Sequence, residues 1–195
     1  MTRIALFGTS ADPPTIGHQA ILMGLAQQFD RVWVWASDNP FKQHGASLTH
    51  RSQMLALIVT EANQHFPHCP IDLRPDLSHR HTIVTVEQAR RQYPSATFHL
   101  VVGSDLLRQL PQWYRSADLL QQVRLLVIPR PDFPIDPAEI DRLEHLGTEV
   151  TIAQWEGLPV SSTVVRQDGR TDPLTAPVHD FIQEHQLYPA LLEIA

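Results

Sequence analysis

The chain has 195 residues, a formal net charge of −6 with its histidines neutral, and one cysteine, Cys69. This length fits a single domain, 1–195, built around a central sheet. The acidic balance argues against a general nucleic-acid-binding surface, which needs clustered Lys and Arg, and a lone cysteine excludes an internal disulfide. Because no leader-like segment and no membrane-spanning apolar stretch is visible, we expect a cytoplasmic protein that binds neither nucleic acid nor membrane.

The first predicted elements are a strand, a loop and a helix. The apolar run at 4–7 indicates a buried strand, and Ile21, Leu25 and Phe29 have the spacing of one helical face. The Gly/Pro loop between them, residues 8–18, then lies at the carboxyl end of a parallel strand, where α/β folds bind nucleotides.

Strands and helices alternate along the rest of the chain. Further strands are predicted at 31–36, 70–73, 97–103, 123–128 and 149–152, and helices at 48–63, 82–91, from 161 and at 176–186. This order predicts an α/β three-layer sandwich with a mostly parallel, Rossmann-like sheet. The C-terminal helices, from about residue 161, are expected to pack on the same domain.

Two distant segments have the character of phosphate-binding loops. The first is GTSADPPTIGH at 8–18, and the second is VSSTVVR at 160–166. The second places hydroxyls and unpaired backbone N–H groups at a helix start, where they favour an anion, and adds Arg166 one turn later. Together the two segments predict a site that holds a polyphosphate.

Other candidate residues follow predicted strands and are expected at the same edge of the sheet, where the carboxyl ends of the strands lie. Lys42 is either a solvated lysine or a phosphate ligand, and Asp105, after Gly103, either caps the next helix or recognises a ribose hydroxyl. Trp113 serves either core packing or stacking against a base.

These motifs, taken in order, resemble those of bacterial nicotinate mononucleotide adenylyltransferases. Residues 8–18 resemble the signature GGTFDPPHxGH, and residues 160–166 are similar to ISSTxxR. Three further stretches also resemble the family: NPFK at 39–42 its lysine-bearing loop, GSD at 103–105 with WY at 113–114 its GxD and WY pair, and FIQEHQLY at 181–188 its C-terminal helix.

Three positions depart from the family pattern. Thr15 replaces the usual first histidine of HxGH, a variation also found in phosphopantetheine adenylyltransferases. Ala11 stands where an aromatic residue is usual, and His81 stands where a tyrosine often precedes the threonine that is Thr82 here. The resemblance therefore specifies adenylyl chemistry more firmly than it specifies the acceptor.

The resemblance implies transfer of the adenylyl group of ATP to nicotinate mononucleotide, which gives nicotinate adenine dinucleotide and pyrophosphate in NAD biosynthesis. It implies catalytic roles for His18, Lys42 and Arg166, and Mg²⁺ carried by the ATP phosphates without protein ligands. The implied ATP-binding residues are Gly8, Thr9, Ser10, Thr15, Gly17, His18, Gly103, Asp105, Ser161, Ser162, Thr163 and Arg166, and the implied mononucleotide-binding residues are Lys42, Thr82, Trp113 and Tyr114.

Two alternatives stay open on the sequence. The first is another adenylyltransferase, acting on nicotinamide mononucleotide or phosphopantetheine, which Thr15 favours. Thr82, Asp105 and the Trp113–Tyr114 pair favour nicotinate mononucleotide instead, Thr82 because it begins a helix that can receive a carboxylate. The second is a non-catalytic nucleotide sensor, which the retention of His18, Lys42 and Arg166 opposes. A homo-oligomer is compatible with the sequence.

Overall fold

The computed structural model describes residues 1–39 and 42–192. Its centre is a six-stranded sheet in which every neighbouring pair is parallel, in the order β3-β2-β1-β4-β5-β6. The strands are β1 Arg3–Thr9, β2 Arg31–Ala36, β3 Ile71–Leu73, β4 Thr97–Gly103, β5 Arg124–Ile128 and β6 Val150–Ile152.

Helices connect the strands and cover both faces of the sheet. They are α1 Ile16–Ala26, α2 Leu48–His65, α3 Thr82–Gln92, α4 Ser116–Leu120, α5 Pro137–His145, α6 Ser162–Asp168, α7 Ala176–Glu184 and α8 Pro189–Leu192. Among the described residues, no helix is both long enough and apolar enough to cross a membrane.

Two apolar cores lie on opposite faces of the sheet, which makes the fold three-layered. Alternate residues of β1 supply both: Ala5 and Phe7 join one core, while Ile4 and Leu6 join the other. A central parallel strand is buried on both faces, which is why β1 reads as a continuous apolar run. The predicted α/β sandwich is therefore confirmed, with an entirely parallel sheet in the structure.

The strand order reverses beside β1, and this reversal creates the crevice that the site uses. β1 lies between β2 and β4, so the chain crosses to opposite sides of the sheet from this point. In such sheets, ligands bind outside the carboxyl ends of the strands at the reversal. Here those ends are Thr9, within the predicted loop 8–18, and Gly103, the start of the predicted turn 103–105.

Local bounds differ from the sequence prediction in a few places. α1 ends at Ala26, so Phe29 is not on the helix, although it is buried against the same core. α7 ends at Glu184, two residues earlier than predicted, because Gln186 has a φ of 50°, which is incompatible with a continuing right-handed helix. The short helices α4 and α5 were not predicted.

Candidate active site

Residues 10–15 join β1 to α1 and form a rigid turn, here called the phosphate loop. Residues 11–15 are all buried. The loop is fixed by Arg51 of α2, which is 1% exposed and donates hydrogen bonds to the carbonyl oxygens of Ser10 at 2.7 Å and Ser37 at 3.0 Å. A buried guanidinium needs such partners, so Arg51 holds this loop and the loop after β2 at a fixed separation.

The hydrogen bonds of His18 define its tautomer. Its Nδ1 accepts a hydrogen bond from the backbone N–H of Thr15 at 3.0 Å and lies 2.9 Å from the Thr15 hydroxyl. Because a backbone N–H only donates, Nδ1 carries no proton, and the ring proton is on Nε2, 2.9 Å from the Thr9 hydroxyl. His18 therefore presents an N–H donor beside the carboxyl end of β1.

The surroundings of His18 also keep it neutral. Burial, and secondly the positive charge of Arg130, lower the pKa of His18 from 6.5 to about 4. At neutral pH the imidazole consequently acts as a dipolar donor, with no net charge.

The two sequence motifs touch each other directly. A Cβ added to Gly17 would lie 2.8 Å from the Val160 side chain, so only glycine permits this approach of α1 to the second motif. The Ser162 hydroxyl donates to the carbonyl of Pro13 at 2.7 Å. Residues 143 and 149 positions apart in sequence thus form one wall.

Arg166 lies over the phosphate loop. Its guanidinium donates to the backbone carbonyl of Asp12, and its Nη1 is 3.8 Å from the Asp12 carboxylate. Asp12 itself is 2% exposed and accepts from the N–H groups of Gly45 at 2.9 Å and Ala46 at 3.2 Å. The Arg166 side chain remains 29% exposed, so its guanidinium is anchored through Nη1 and still partly open to a ligand.

Lys42 approaches the same loop from the segment after β2. Its Nζ lies 3.3 Å from the Ser10 hydroxyl, and the residue is exposed. Pro40 and Phe41 of the predicted lysine-bearing loop lie outside the described residues. The cationic side chains of Lys42 and Arg166 therefore both contact the phosphate loop.

The turn after β4 contacts the loop after β5. Asp105 pairs with Arg130 at 3.0 Å, and the Ser104 hydroxyl donates to the Phe133 carbonyl at 2.7 Å. Asp105 is the second residue of the 3₁₀ turn Ser104–Leu106, whose N-cap is Gly103, and its carboxylate is paired with Arg130. Arg130 of this pair lines a cavity of about 370 Å³. The cavity is lined by residues 130–133 and 158–161 with Val164, Arg170, Asp172 and Pro173.

The predicted mononucleotide residues lie around the start of α3. Thr82 is the first residue of that helix, and its predecessor His81 provides no side-chain cap. Tyr114 is 57% exposed, and its ring lies 4.5 Å from the His81 ring at an angle of 35°. Trp113 is half-buried against the second core, so it contributes to packing while keeping an accessible part.

Comparison with known proteins places this arrangement in a family. Residues 6–168 match the model of the cytidylyltransferase-like family. A curated Synechocystis sp. protein named "Probable nicotinate-nucleotide adenylyltransferase" is 42% identical over 199 aligned positions, which cover 95% of this chain and 98% of the relative. The chain belongs to the nicotinate-nucleotide adenylyltransferase family. A Bacillus cereus protein of the same name is 30% identical over 172 positions, covering 86% of this chain and 85% of its own.

Solved structures of similar fold include one from Plasmodium falciparum. Its nicotinic acid mononucleotide adenylyltransferase, complexed with NaAD, has a TM-score of 0.79 at 19% identity and covers 97% of this chain and 98% of its own. The same protein complexed with APC gives a TM-score of 0.78. At this identity the likeness supports the shared fold.

Four residues of this family member were not given site roles from sequence. Asp12 stands inside the quoted motif but looks like a turn residue, and Arg51 and Arg130 look like isolated surface charges. Tyr188 ends the C-terminal family motif, and its hydroxyl lies 2.7 Å from Asp12. Only membership of a quoted motif could have drawn attention to Asp12 and Tyr188.

Proposed function

We propose that the protein transfers the adenylyl group of ATP to nicotinate mononucleotide and releases nicotinate adenine dinucleotide and pyrophosphate. The observation that carries the proposal is the contact of the two phosphate-binding motifs, through Gly17 with Val160 and Ser162 with Pro13. The names of the curated relatives support the same reaction.

The reaction needs no protein nucleophile, because the mononucleotide phosphate itself attacks the α-phosphorus of ATP. Catalysis then consists of bringing two anions together and stabilising the charge that develops on the transferring group. His18 offers its Nε2–H to a phosphate oxygen in place of the Thr9 hydroxyl. Arg166 and Lys42 supply full positive charge at the same loop.

The adenosine part of ATP is assigned to the cavity beside the second motif. Its volume of about 370 Å³ is in the range of small-molecule pockets. Asp105 is paired with Arg130, which lines this cavity, and a carboxylate in that position can accept hydrogen bonds from ribose hydroxyls. Arg130 already occupies one carboxylate oxygen at 3.0 Å, which leaves the other for the sugar.

Magnesium is proposed to enter with ATP. Mg²⁺ prefers oxygen ligands and is commonly bound through substrate phosphates and water. The one carboxylate of the phosphate loop, that of Asp12, is 2% exposed and already accepts from the N–H groups of Gly45 and Ala46 and from the Tyr188 hydroxyl. The other functional side chains around the loop are hydroxyl, imidazole, ammonium and guanidinium groups, a set that suits the phosphates and not the metal. Among the described residues there is no group of three His, Cys, Asp or Glu that could hold a metal ion. Bound in this way, Mg²⁺ would neutralise charge on the triphosphate.

The nicotinate carboxylate is assigned to the start of α3. Thr82 contributes a hydroxyl, and the first turn of this eleven-residue helix has unpaired N–H donors. A nicotinamide amide would lack the negative charge that strengthens these hydrogen bonds. This difference supports nicotinate mononucleotide over the amide as the acceptor.

The sequence left two alternatives, a different acceptor and a non-catalytic sensor, and a separate observation bears on each. Thr15 is the feature that favours a different acceptor, but in the structure its backbone N–H and hydroxyl serve His18, a role compatible with any acceptor. A non-catalytic sensor would bind ATP without turnover. A single domain over 1–195, a cytoplasmic location and the homo-oligomer stay predictions.

The test is a pyrophosphate-release assay with ATP and Mg²⁺, run separately with nicotinate mononucleotide, nicotinamide mononucleotide and phosphopantetheine. We expect release with the first acceptor at the highest kcat/KM. Faster release with either of the others would replace the proposed acceptor. ATP binding without release with any of the three would favour the sensor.

A further inference from the structure

The C-terminal segment reaches into the phosphate loop. Gln186 and Tyr188 have φ values of 50° and 57°, which turn the chain sharply after α7. The turn buries the Tyr188 side chain, which is 3% exposed, and brings its hydroxyl to Asp12, 176 residues earlier in the sequence. A residue outside both phosphate motifs therefore touches the phosphate loop of the first.

Tyr188 makes the shortest described hydrogen bond to the Asp12 carboxylate. The Tyr188 hydroxyl donates to Oδ1 at 2.7 Å, while the N–H of Ala46 donates to the same oxygen at 3.2 Å and the N–H of Gly45 to Oδ2 at 2.9 Å. Because Asp12 is 2% exposed, these donors replace water around the carboxylate.

The Tyr188 ring also packs beside Arg166. A Cβ added to Gly45 would lie 2.7 Å from the Tyr188 ring and 3.2 Å from Cδ of Arg166, so ring, glycine and arginine stem are in close contact. The Arg166 guanidinium meanwhile donates to the backbone carbonyl of Asp12. Tyr188 thus contacts both the residue that anchors Arg166 and the segment that follows Lys42.

We propose that Tyr188 is a positioning residue for ATP: its hydroxyl satisfies the Asp12 carboxylate and so leaves the Arg166 guanidinium directed at the phosphates. The proposal rests on the proposed function, since it assigns Arg166 to ATP.

Loss of the hydroxyl would make Asp12 compete for the guanidinium. A buried carboxylate that loses a donor is strongly disfavoured and draws the nearest donors toward it. Arg166 Nη1 is 3.8 Å from Oδ2, and His44 Nδ1 is 3.5 Å from the same oxygen. A small rotation of Arg166 would pair it with the carboxylate and withdraw it from the ligand.

The test compares Tyr188→Phe with a matched control, Thr148→Val. Phenylalanine keeps the ring beside Gly45 and removes only the hydroxyl. Thr148 is 5% exposed, and its hydroxyl donates to the Val123 carbonyl at 2.9 Å and lies 3.4 Å from the Glu149 carbonyl. These residues are in the segments that precede β5 and β6, away from the phosphate loop. Both variants lose one buried hydrogen bond, so both are expected to lower Tm by a few degrees.

The decisive readout is the Kd of an ATP analogue with a methylene group between its α- and β-phosphates, measured by calorimetry. We expect Tyr188→Phe to raise this Kd about tenfold and the KM for ATP similarly, while the KM for nicotinate mononucleotide changes less than about twofold. Thr148→Val should leave all three within about twofold. Equal Kd values for wild type and Tyr188→Phe, or an equal rise in Thr148→Val, would overturn the proposal.

A mutant cycle tests whether the effect passes through Arg166. In an Arg166→Ala background, Tyr188→Phe should change the Kd of the analogue less than about twofold. The same tenfold rise in both backgrounds would contradict the proposed route.

Wild-type protein that binds the analogue but makes no dinucleotide would refute the proposed function alone, whereas active wild type with an unaffected Tyr188→Phe would refute the positioning role alone. No binding of the analogue by wild type would refute both.

Discussion

Replacing His18 by alanine removes a single oriented donor, and the structure allows the consequences to be worked out. Nε2–H is held on the ring because Nδ1 accepts from the Thr15 N–H, so the donor is preorganised before substrate binds. Loss of one such donor to developing charge costs about 10²–10³ in kcat, or about 2.7–4 kcal/mol. We expect that loss in kcat for His18→Ala, with a smaller change in KM for either substrate.

The lowered pKa of His18 adds a pH test to the same residue. With a pKa of about 4, only about a tenth of the His18 side chains carry a second proton at pH 5, against nearly all of them for an ordinary histidine at 6.5. The log of kcat/KM, which reports the free enzyme, should therefore show no acidic limb from His18 between pH 5 and 8. Imidazole NMR signals assigned through the His18→Ala variant should move by no more than about a tenth of a full titration shift over that range.

Gln19→Ala is the matched control, because the Gln19 side chain leaves the same helix turn toward Glu61 at 3.1 Å. It should retain near-wild-type turnover in the pyrophosphate-release assay. Folded His18→Ala with wild-type kcat would remove His18 from the mechanism. A His18 signal that titrates near pH 6.5 would show that the burial argument is wrong.

Three further outcomes are expected. Arg166→Ala should raise the KM for ATP at least about tenfold and also reduce kcat, since a charged donor is lost; a change confined to the mononucleotide KM would reverse the assignment. The wild type should prefer nicotinate mononucleotide over nicotinamide mononucleotide by at least about tenfold in kcat/KM, and Thr82→Val should reduce that ratio, mainly by lowering kcat/KM for nicotinate mononucleotide. Equal kcat/KM values for the two substrates in wild type would refute the carboxylate pocket. The pKa of His99 is lowered to about 4, first by burial and then by the charges of Arg124 and Arg3. Because this folded-state pKa lies below the unfolded-state value of 6.5, neutral His99 contributes stability above pH 6.5, and that stability is lost as the pH falls toward 4. Denaturant unfolding of wild type and His99→Leu at pH 7.5 and 4.5 should show a loss of about 2–3 kcal/mol from this group in wild type only, and equal losses in both would contradict it.

Much of the fold could be predicted because its strands are continuous apolar runs between turn residues. β4 was predicted with the bounds that the structure has, 97–103, and α2 was displaced only at its C-terminal end. α5 was missed because it follows the Pro-rich stretch 129–134, although Asp136 as N-cap and Pro137 at the first helical position are start signals. Such local signals were outweighed by the proline content around them.

The candidate site was predictable as a set of motifs but not as a network of contacts. The adjacency of the two phosphate motifs follows from their family pattern, and their assigned roles stay predictions. Arg51 could not be recognised as buried, because its two strongest partners are the backbone carbonyls of Ser10 and Ser37, in other segments of the chain. Tyr188 reaches Asp12 only through a left-handed turn of the backbone that no residue type in the segment demands. Long-range polar contacts of this kind have no periodic signature in a sequence.

The central claim is adenylyl transfer, and the fate of the α-phosphate tests it most directly. ATP labelled at the α-phosphorus should be incubated with Mg²⁺, nicotinate mononucleotide and the wild-type chain, and the products separated by chromatography. The account predicts that the label moves into a dinucleotide with the mass of nicotinate adenine dinucleotide, in step with pyrophosphate release. Label recovered in AMP, or retained in ATP under conditions where ATP binds, would contradict it.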